Sequence, residues 1–214
     1  MDHNGTGLGR HFMRAPAGDG AGPMRHPTSR ILFGYWDGLR GERTAPERGE
    51  IEPGAIRHVL ADTFILALEG GTPHFRLAGT RLCALFGGEM KDQPLIDLWQ
   101  EDGRHDMRRL VEAVMDDAAG VVGGVTGRTR AGHPIDLELL MLPLRHRGKT
   151  HSRILGSLSP ATVPAWIGLD PVDSLRTLSL RMIWSGSRES IALDPAARRR
   201  RLVVHEGGRA RERG

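Results

Sequence analysis

The chain has 214 residues, 39% of them apolar and 26% charged, a composition that supports one hydrophobic core plus tails. No stretch approaches the roughly 18 uninterrupted apolar residues of a spanning helix, no secretory apolar region opens the chain, and the single cysteine excludes an internal disulfide, so a cytoplasmic protein with no membrane partner is expected. The pI of about 10.1 has a local origin: residues 186–214 hold 8 arginines against 4 acidic residues, the whole formal excess of +4, and the remainder is balanced at 22 each.

Residues 1–27 are rich in Gly, Pro and Arg without apolar periodicity, which predicts a disordered leader. From 28 to 60 two helices are expected. The first carries Leu32, Tyr35, Trp36 and Leu39 at helical spacing, with Ser29 as N-cap and Gly41 as stop; the second opens on Pro53 and carries Ile56, Val59 and Leu60.

A core from 61 to 160 follows. Thr63 to Glu69 and His74 to Ala78 read as a hairpin around Gly70-Gly71, with Phe75 and Leu77 on one face. Thr80 is placed to cap a short helix bearing Leu82, Leu85 and Phe86, and a further turn is expected over Leu95 to Trp99. The most distinct helix starts near Glu101 and aligns Met107, Leu110, Val111, Val114, Met115 and Ala118, ending at Gly120. Three segments, Val121 to Arg130, Ile135 to Leu144 and Ser152 to Ser159, then form an antiparallel meander, in which Asp136 and Glu138 alternate with apolar residues and are expected to face outward. Gly123, Gly124 and Gly127 signal a bulge or a close backbone approach. Residues 161–185 form a C-terminal extension with an element of undecided type over Leu175 to Trp184, and 186–214 a flexible basic tail.

The strings Tyr35-Trp36-Asp37-Gly38-Leu39-Arg40-Gly41, Pro46-Glu47-Arg48, Glu52-Pro53, Phe75-Arg76-Leu77-Ala78-Gly79-Thr80, Leu85-Phe86-Gly87 and Leu98-Trp99 resemble a family of small bacterial single-PAS regulatory proteins, over about Ile31 to Pro160. The resemblance implies an α+β fold, a five-stranded antiparallel sheet with helices on one face, here with an added N-terminal amphipathic helix. It also implies a role in signalling, without an attached catalytic domain. Light-sensing relatives carry a reactive cysteine in Asn-Cys-Arg-Phe-Leu-Gln, whereas Cys83 lies in Thr80-Arg81-Leu82-Cys83-Ala84-Leu85-Phe86, so a flavin adduct is not supported.

Other sites weigh against their plainer accounts. Gly87-Gly88-Glu89-Met90 resembles the start of a cyclic-dinucleotide synthase loop but lacks the acidic and aromatic residues that must follow, and reads as a helix stop. The ten histidines show no metal-ligand spacing. His105 falls at the start of the long helix, and the resemblance raises haem because some haem-binding PAS domains ligate iron from their helical region, but it reads first as a solvated residue; His146 and His151 flank a basic turn. No nucleophile-elbow string appears, so no catalytic residue is assigned. A ligand cavity, if formed, is expected between the long helix and the sheet, at Phe75, Leu110, Val114, Val125, Leu139 and Leu155, with the cofactor unknown. The expected partner surface is Leu32, Tyr35, Trp36 and Leu39, a seam for another protein or a homodimer. A small-molecule ligand is compatible with this reading. Nucleic acid, through Arg198 to Arg201, is the disfavoured alternative, since four arginines outside a core more often form a solvated tail. An enzyme on a similar fold ranks last.

Overall fold

The computed structural model describes residues 24–147 and 149–183. Its helices are α1 (Pro27–Arg40), α2 (Thr80–Phe86) and α3 (Glu101–Asp116), with 3-10 turns at Arg48–Glu50, Pro53–Ile56, Leu60–Asp62 and Leu95–Leu98. The strands are β1 (Thr63–Glu69), β2 (Thr72–Ala78), β3 (Gly120–Thr129), β4 (Pro134–His146), β5 (Lys149–Pro160) and β6 (Val172–Ile183). They form one antiparallel sheet in the order β2-β1-β5-β4-β3-β6. The element of undecided type is thus a strand, and the sheet has six strands rather than five.

Both faces of the sheet are covered. On the inner face, α2, α3 and the turn at Leu95–Leu98 close over Phe64, Leu66, Val121, Val125, Leu137, Leu139 and Ile154. The stripe of α3 (Met107, Leu110, Val111, Val114, Met115) is buried there, while Glu101 and Asp102 in its first turn complement the helix dipole. The helix ends at Asp116, and Ala118, at φ 52, turns the chain before Gly120 opens β3.

The outer face belongs to α1. Leu32 and Trp36 pack with Ile65, Val122, Leu140, Leu142, Leu144 and Leu155 in a second core. Strand β4 is therefore apolar on both sides from Leu139 onward, which is why its alternation fades where α1 covers it. The helix begins at Pro27 with His26, not Ser29, as its N-cap: the His26 ring accepts the Thr28 N–H at 3.2 Å, and Ser29 is buried within the first turn. Gly41, at φ 56, ends it as expected. The expected leader also stops short of residue 27. Met24 is 3% exposed in the outer core, and the Arg25 and His26 N–H groups donate to the two carboxylate oxygens of Glu138 at 2.7 and 2.9 Å. Glu138 thus stands on the outer face as expected but is half-buried there as a tether beneath the helix start, whereas Asp136 is exposed.

Two further expectations change with the register. Ile65 pairs with Leu77 and Leu66 with Phe75, so Arg76 is the extra residue of a bulge, and Phe75 and Leu77 point to opposite faces. Gly79 rather than Thr80 precedes α2 as its cap. In β3 the glycines serve both expected purposes: the pairing with β6 shifts between Gly124 and Val125, and a Cβ at Gly123 would stand 2.4 Å from the Ser179 carbonyl oxygen.

Candidate functional site

Five of the six residues expected to line a cavity meet on the inner face. Phe75, Val114, Val125 and Leu139 are fully buried and Leu110 nearly so, in one packed cluster where Phe75 stands edge-on to Phe64 at 5.6 Å. Leu155 is not among them. Alternation along β5 turns Ile154 and Leu158 inward and Leu155 outward, beneath α1. A cleft of about 320 Å³ opens beside this core, between the end of α2, the 88–98 segment and the start of β6. Buried Met90 and Val172 and half-buried Phe86 and Leu98 line it together with exposed Glu89, Asp97 and Asp173. The lining mixes apolar and polar groups, and its carboxylates are engaged within the chain: Asp97 is ion-paired to Arg104, Asp173 to Arg130, and Glu89 accepts the Lys91 N–H at 3.1 Å.

The expected partner surface is taken up within the chain. Leu32 and Trp36 are 0% and 2% exposed, and the Trp36 indole N–H donates to the Pro143 carbonyl at 2.8 Å. Tyr35 and Leu39 are half-buried; the Tyr35 hydroxyl accepts the Glu52 N–H at 2.8 Å and so holds the segment after α1. An apolar stripe next to an apolar strand face buries itself first, and only Ile31, 43% exposed, remains a large apolar residue on the outward side of α1.

Two polar arrangements have no signal in the sequence. Asp62, its side chain 3% exposed, receives one Arg81 nitrogen on both carboxylate oxygens at 2.7 Å and the Thr28 hydroxyl at 3.3 Å. One buried carboxylate thereby joins α1 on the outer face to α2 on the inner face. Asp170, in the connection between β5 and β6, meets the His133 ring at 2.8 Å, and that ring stacks on Trp166 at 6.0 Å. Hydrogen bonding from the Thr129 hydroxyl first, and then from His133, holds the Asp170 carboxyl below its usual range. The pair clamps the 161–171 segment onto the β3–β4 turn. Among the described residues no serine, threonine or cysteine side chain is hydrogen-bonded to the His133 ring.

His105 lies exposed on α3, and Cys83 is half-buried against the inner core. The described residues hold no group of three His, Cys, Asp or Glu placed to share a metal. The arginine-rich tail, with Arg198 to Arg201, and the start of the leader lie outside the described residues.

Among solved structures, the chain is similar to the LOV protein of Rhodobacter sphaeroides, at 13% identity and a TM-score of 0.40 over 49% of this chain and 61% of that one. It is similar to an RNA-binding light-oxygen-voltage receptor, at 16% identity and 0.42, over 55% and 36% respectively. The PAS domain of a Colwellia psychrerythraea protein matches at 15% identity and 0.39, over 52% of this chain and 98% of that domain. The chain thus spans less than two thirds of the first and little more than a third of the second. No curated protein matches it. A family profile described as PAS domain matches residues 24–159, from the buried Met24 ahead of α1 to the end of strand β5, with β6 beyond it. The chain belongs to the PAS domain family, a class of sensory and regulatory modules.

Proposed function

We propose that the protein is a non-catalytic regulatory module of the cytoplasm, which binds a partner protein or a second copy of itself and is gated by a small amphipathic ligand in the cleft beside α2. The observation that supports this reading is the Asp62 junction. A ligand that shifts α2 pulls on Arg81, and Asp62 passes the strain to Thr28 at the start of α1. The seat of α1 is uneven in a way that suits such a switch. Its middle is held by Leu32 and Trp36, whereas nearer its start the hydroxyls of buried Ser29, and of Ser157 and Ser159 on β5, have no hydrogen-bond partner among the described residues. The N-terminal half of α1 is the half that lifts first.

The test is hydrogen exchange with light scattering, on the wild type and on Asp62→Asn. The substitution is expected to speed exchange in 25–32 while β3 to β5 stay protected, and to change the self-association measured over a range of concentrations. Native mass spectrometry and a visible spectrum of freshly purified protein report a retained ligand. A protein that stays monomeric, carries no extra mass and exchanges at the same rate in both forms would refute the reading.

A further inference from the structure

The balance of charge over residues 1–185 conceals a concentration at one end of the sheet. The β4–β5 hairpin, Arg145-His146-Arg147-Gly148-Lys149-Thr150-His151-Ser152-Arg153, has no acidic and no apolar residue in nine positions. On the outer face Arg153 pairs with Leu144 of β4 and Ala67 of β1, so its side chain stands inboard of the tip. The 3-10 turn that begins at Arg48 is fixed to the same strand end by the Glu47–Arg145 bridge and the bond from the Arg145 N–H to the Pro46 carbonyl at 2.9 Å.

The carboxylates nearby are already matched: Glu47 by Arg145, Glu69 and Asp92 by Arg76, and Glu50 by Arg43. Among the described residues Arg48, Arg147 and Arg153 are the surplus. Arg153 is half-buried, and the bond its guanidinium makes is to the Ser152 carbonyl. Burial, and then the charges of Arg76, Arg147 and Arg48, hold it below the ordinary arginine value; burial and the same Arg153 and Arg147 also lower His146. Positive groups gathered at a mutual cost, beside a Glu47 that is already ion-paired to Arg145, mark a place built for an external anion.

We propose that this hairpin end, with Arg48, Arg147 and Arg153, is a docking surface for the phosphate backbone of a nucleic acid. Shape favours that partner over a bilayer. Arg153 lies four strand positions beyond Lys149, roughly 13 Å from the tip. A membrane touching the tip leaves Arg153 more than the ~8 Å Debye length away, and the tip offers no apolar side chain to insert. A nucleic-acid strand laid along the hairpin reaches every surplus charge, and about four phosphates of a DNA strand fit that length. Guanidinium forks suit phosphate oxygens in a way that lysines do not.

The test uses the full chain, tail included, with a fluorescent 20-nucleotide single strand and a duplex of the same length read by anisotropy across salt. Phosphatidylserine vesicles and polyglutamate serve as rival anions. Against them stands Arg48→Gln/Arg147→Asn/Arg153→Gln, with asparagine at 147 because that residue sits at φ 53, which asparagine tolerates. Far-UV circular dichroism and the urea midpoint check that the fold is kept. The triple variant is expected to lose about tenfold or more in oligonucleotide affinity at low salt and to flatten the salt slope by about two. Unchanged oligonucleotide binding, loss only when Arg198 to Arg201 are replaced, or a preference for vesicles or polyglutamate would overturn the proposal.

Discussion

Trp36 shows how one side chain settles the role of α1. Its ring is sealed between the helix and β4, with Arg40 over it at 5.3 Å and its N–H spent on the Pro143 carbonyl, an oxygen whose own strand position lacks an N–H because the residue is proline. Trp36→Ala is expected to cost about 3–5 kcal/mol by urea denaturation, and Trp36→Phe about 1–3 kcal/mol, because most of the packing stays while a buried carbonyl loses its donor. A Trp36→Phe variant as stable as the wild type would show that the hydrogen bond contributes nothing, and equal losses in the two variants would show that the ring packing contributes nothing. At Gly156 the limit is space: a Cβ there would lie 2.2 Å from the Phe64 ring and 2.6 Å from the Leu140 carbonyl. Gly156→Ala should destabilise by about 1–3 kcal/mol or more, while Gly54→Ala, with nothing within 4 Å, serves as the control that stays near wild type. Of these features only the apolar character of Trp36 is readable from the sequence. Whether such a residue faces a partner or its own sheet depends on a strand 107 residues away.

The elements with a strong local signal are the ones the sequence specifies best. The α3 stripe, the Gly70-Gly71 turn and the three meander strands arise from periodicity and turn chemistry within a few residues and form where those signals place them, except that the helix stops at Asp116, short of the Ala118 and Gly120 expected to close it. What escapes is pairing. The bulge at Arg76 moves Leu77 to the opposite face from Phe75, and no residue in that strand announces it. Likewise Leu155 satisfies the same apolar criterion as Ile154, and only the register against β1 and β4 assigns it to the outer core. The start of α1 is the element that carries the most testable consequence. Glu138 accepts two N–H groups ahead of it with a charged carboxylate, the stronger kind of hydrogen bond and of the right sign for a helix N-terminus. Glu138→Gln is expected to cost about 1 kcal/mol and, in hydrogen exchange, to release residues 24–30 selectively while 35–40 keep their protection. Uniform deprotection of the whole helix would show instead that α1 docks as one rigid piece.

Across the whole molecule, composition describes averages, and the functional surfaces are departures from them. A body with as many acids as bases still gathers three surplus arginines at one hairpin end and the 3-10 turn beside it, and a connection with little regular structure, residues 161–171, carries a carboxylate that meets a histidine on a turn 37 residues earlier. That clamp makes the stability of the protein depend on pH with a definite sign. The folded Asp170 carboxyl titrates below its ordinary range because the Thr129 hydroxyl and then His133 bind its charged form. A group whose folded value lies below its unfolded one adds stability above the unfolded value, near pH 4, and that contribution is lost as the pH falls through the folded value. Glu50, lowered chiefly by the hydrogen bond from Arg43, acts in the same direction. Asp170→Asn should therefore lower the urea midpoint at neutral pH and, by the same step, make the protein less sensitive to acid. The measurement is the difference between midpoints at neutral pH and about pH 3, which is expected to be smaller in Asp170→Asn than in the wild type. Limited proteolysis within 161–171 should accelerate in the variant at neutral pH and converge with the wild type in acid, where neither chain keeps the carboxylate. An equal midpoint difference in the two proteins would mean that the acid response arises elsewhere and that the His133–Asp170 contact is not what holds this segment to the sheet.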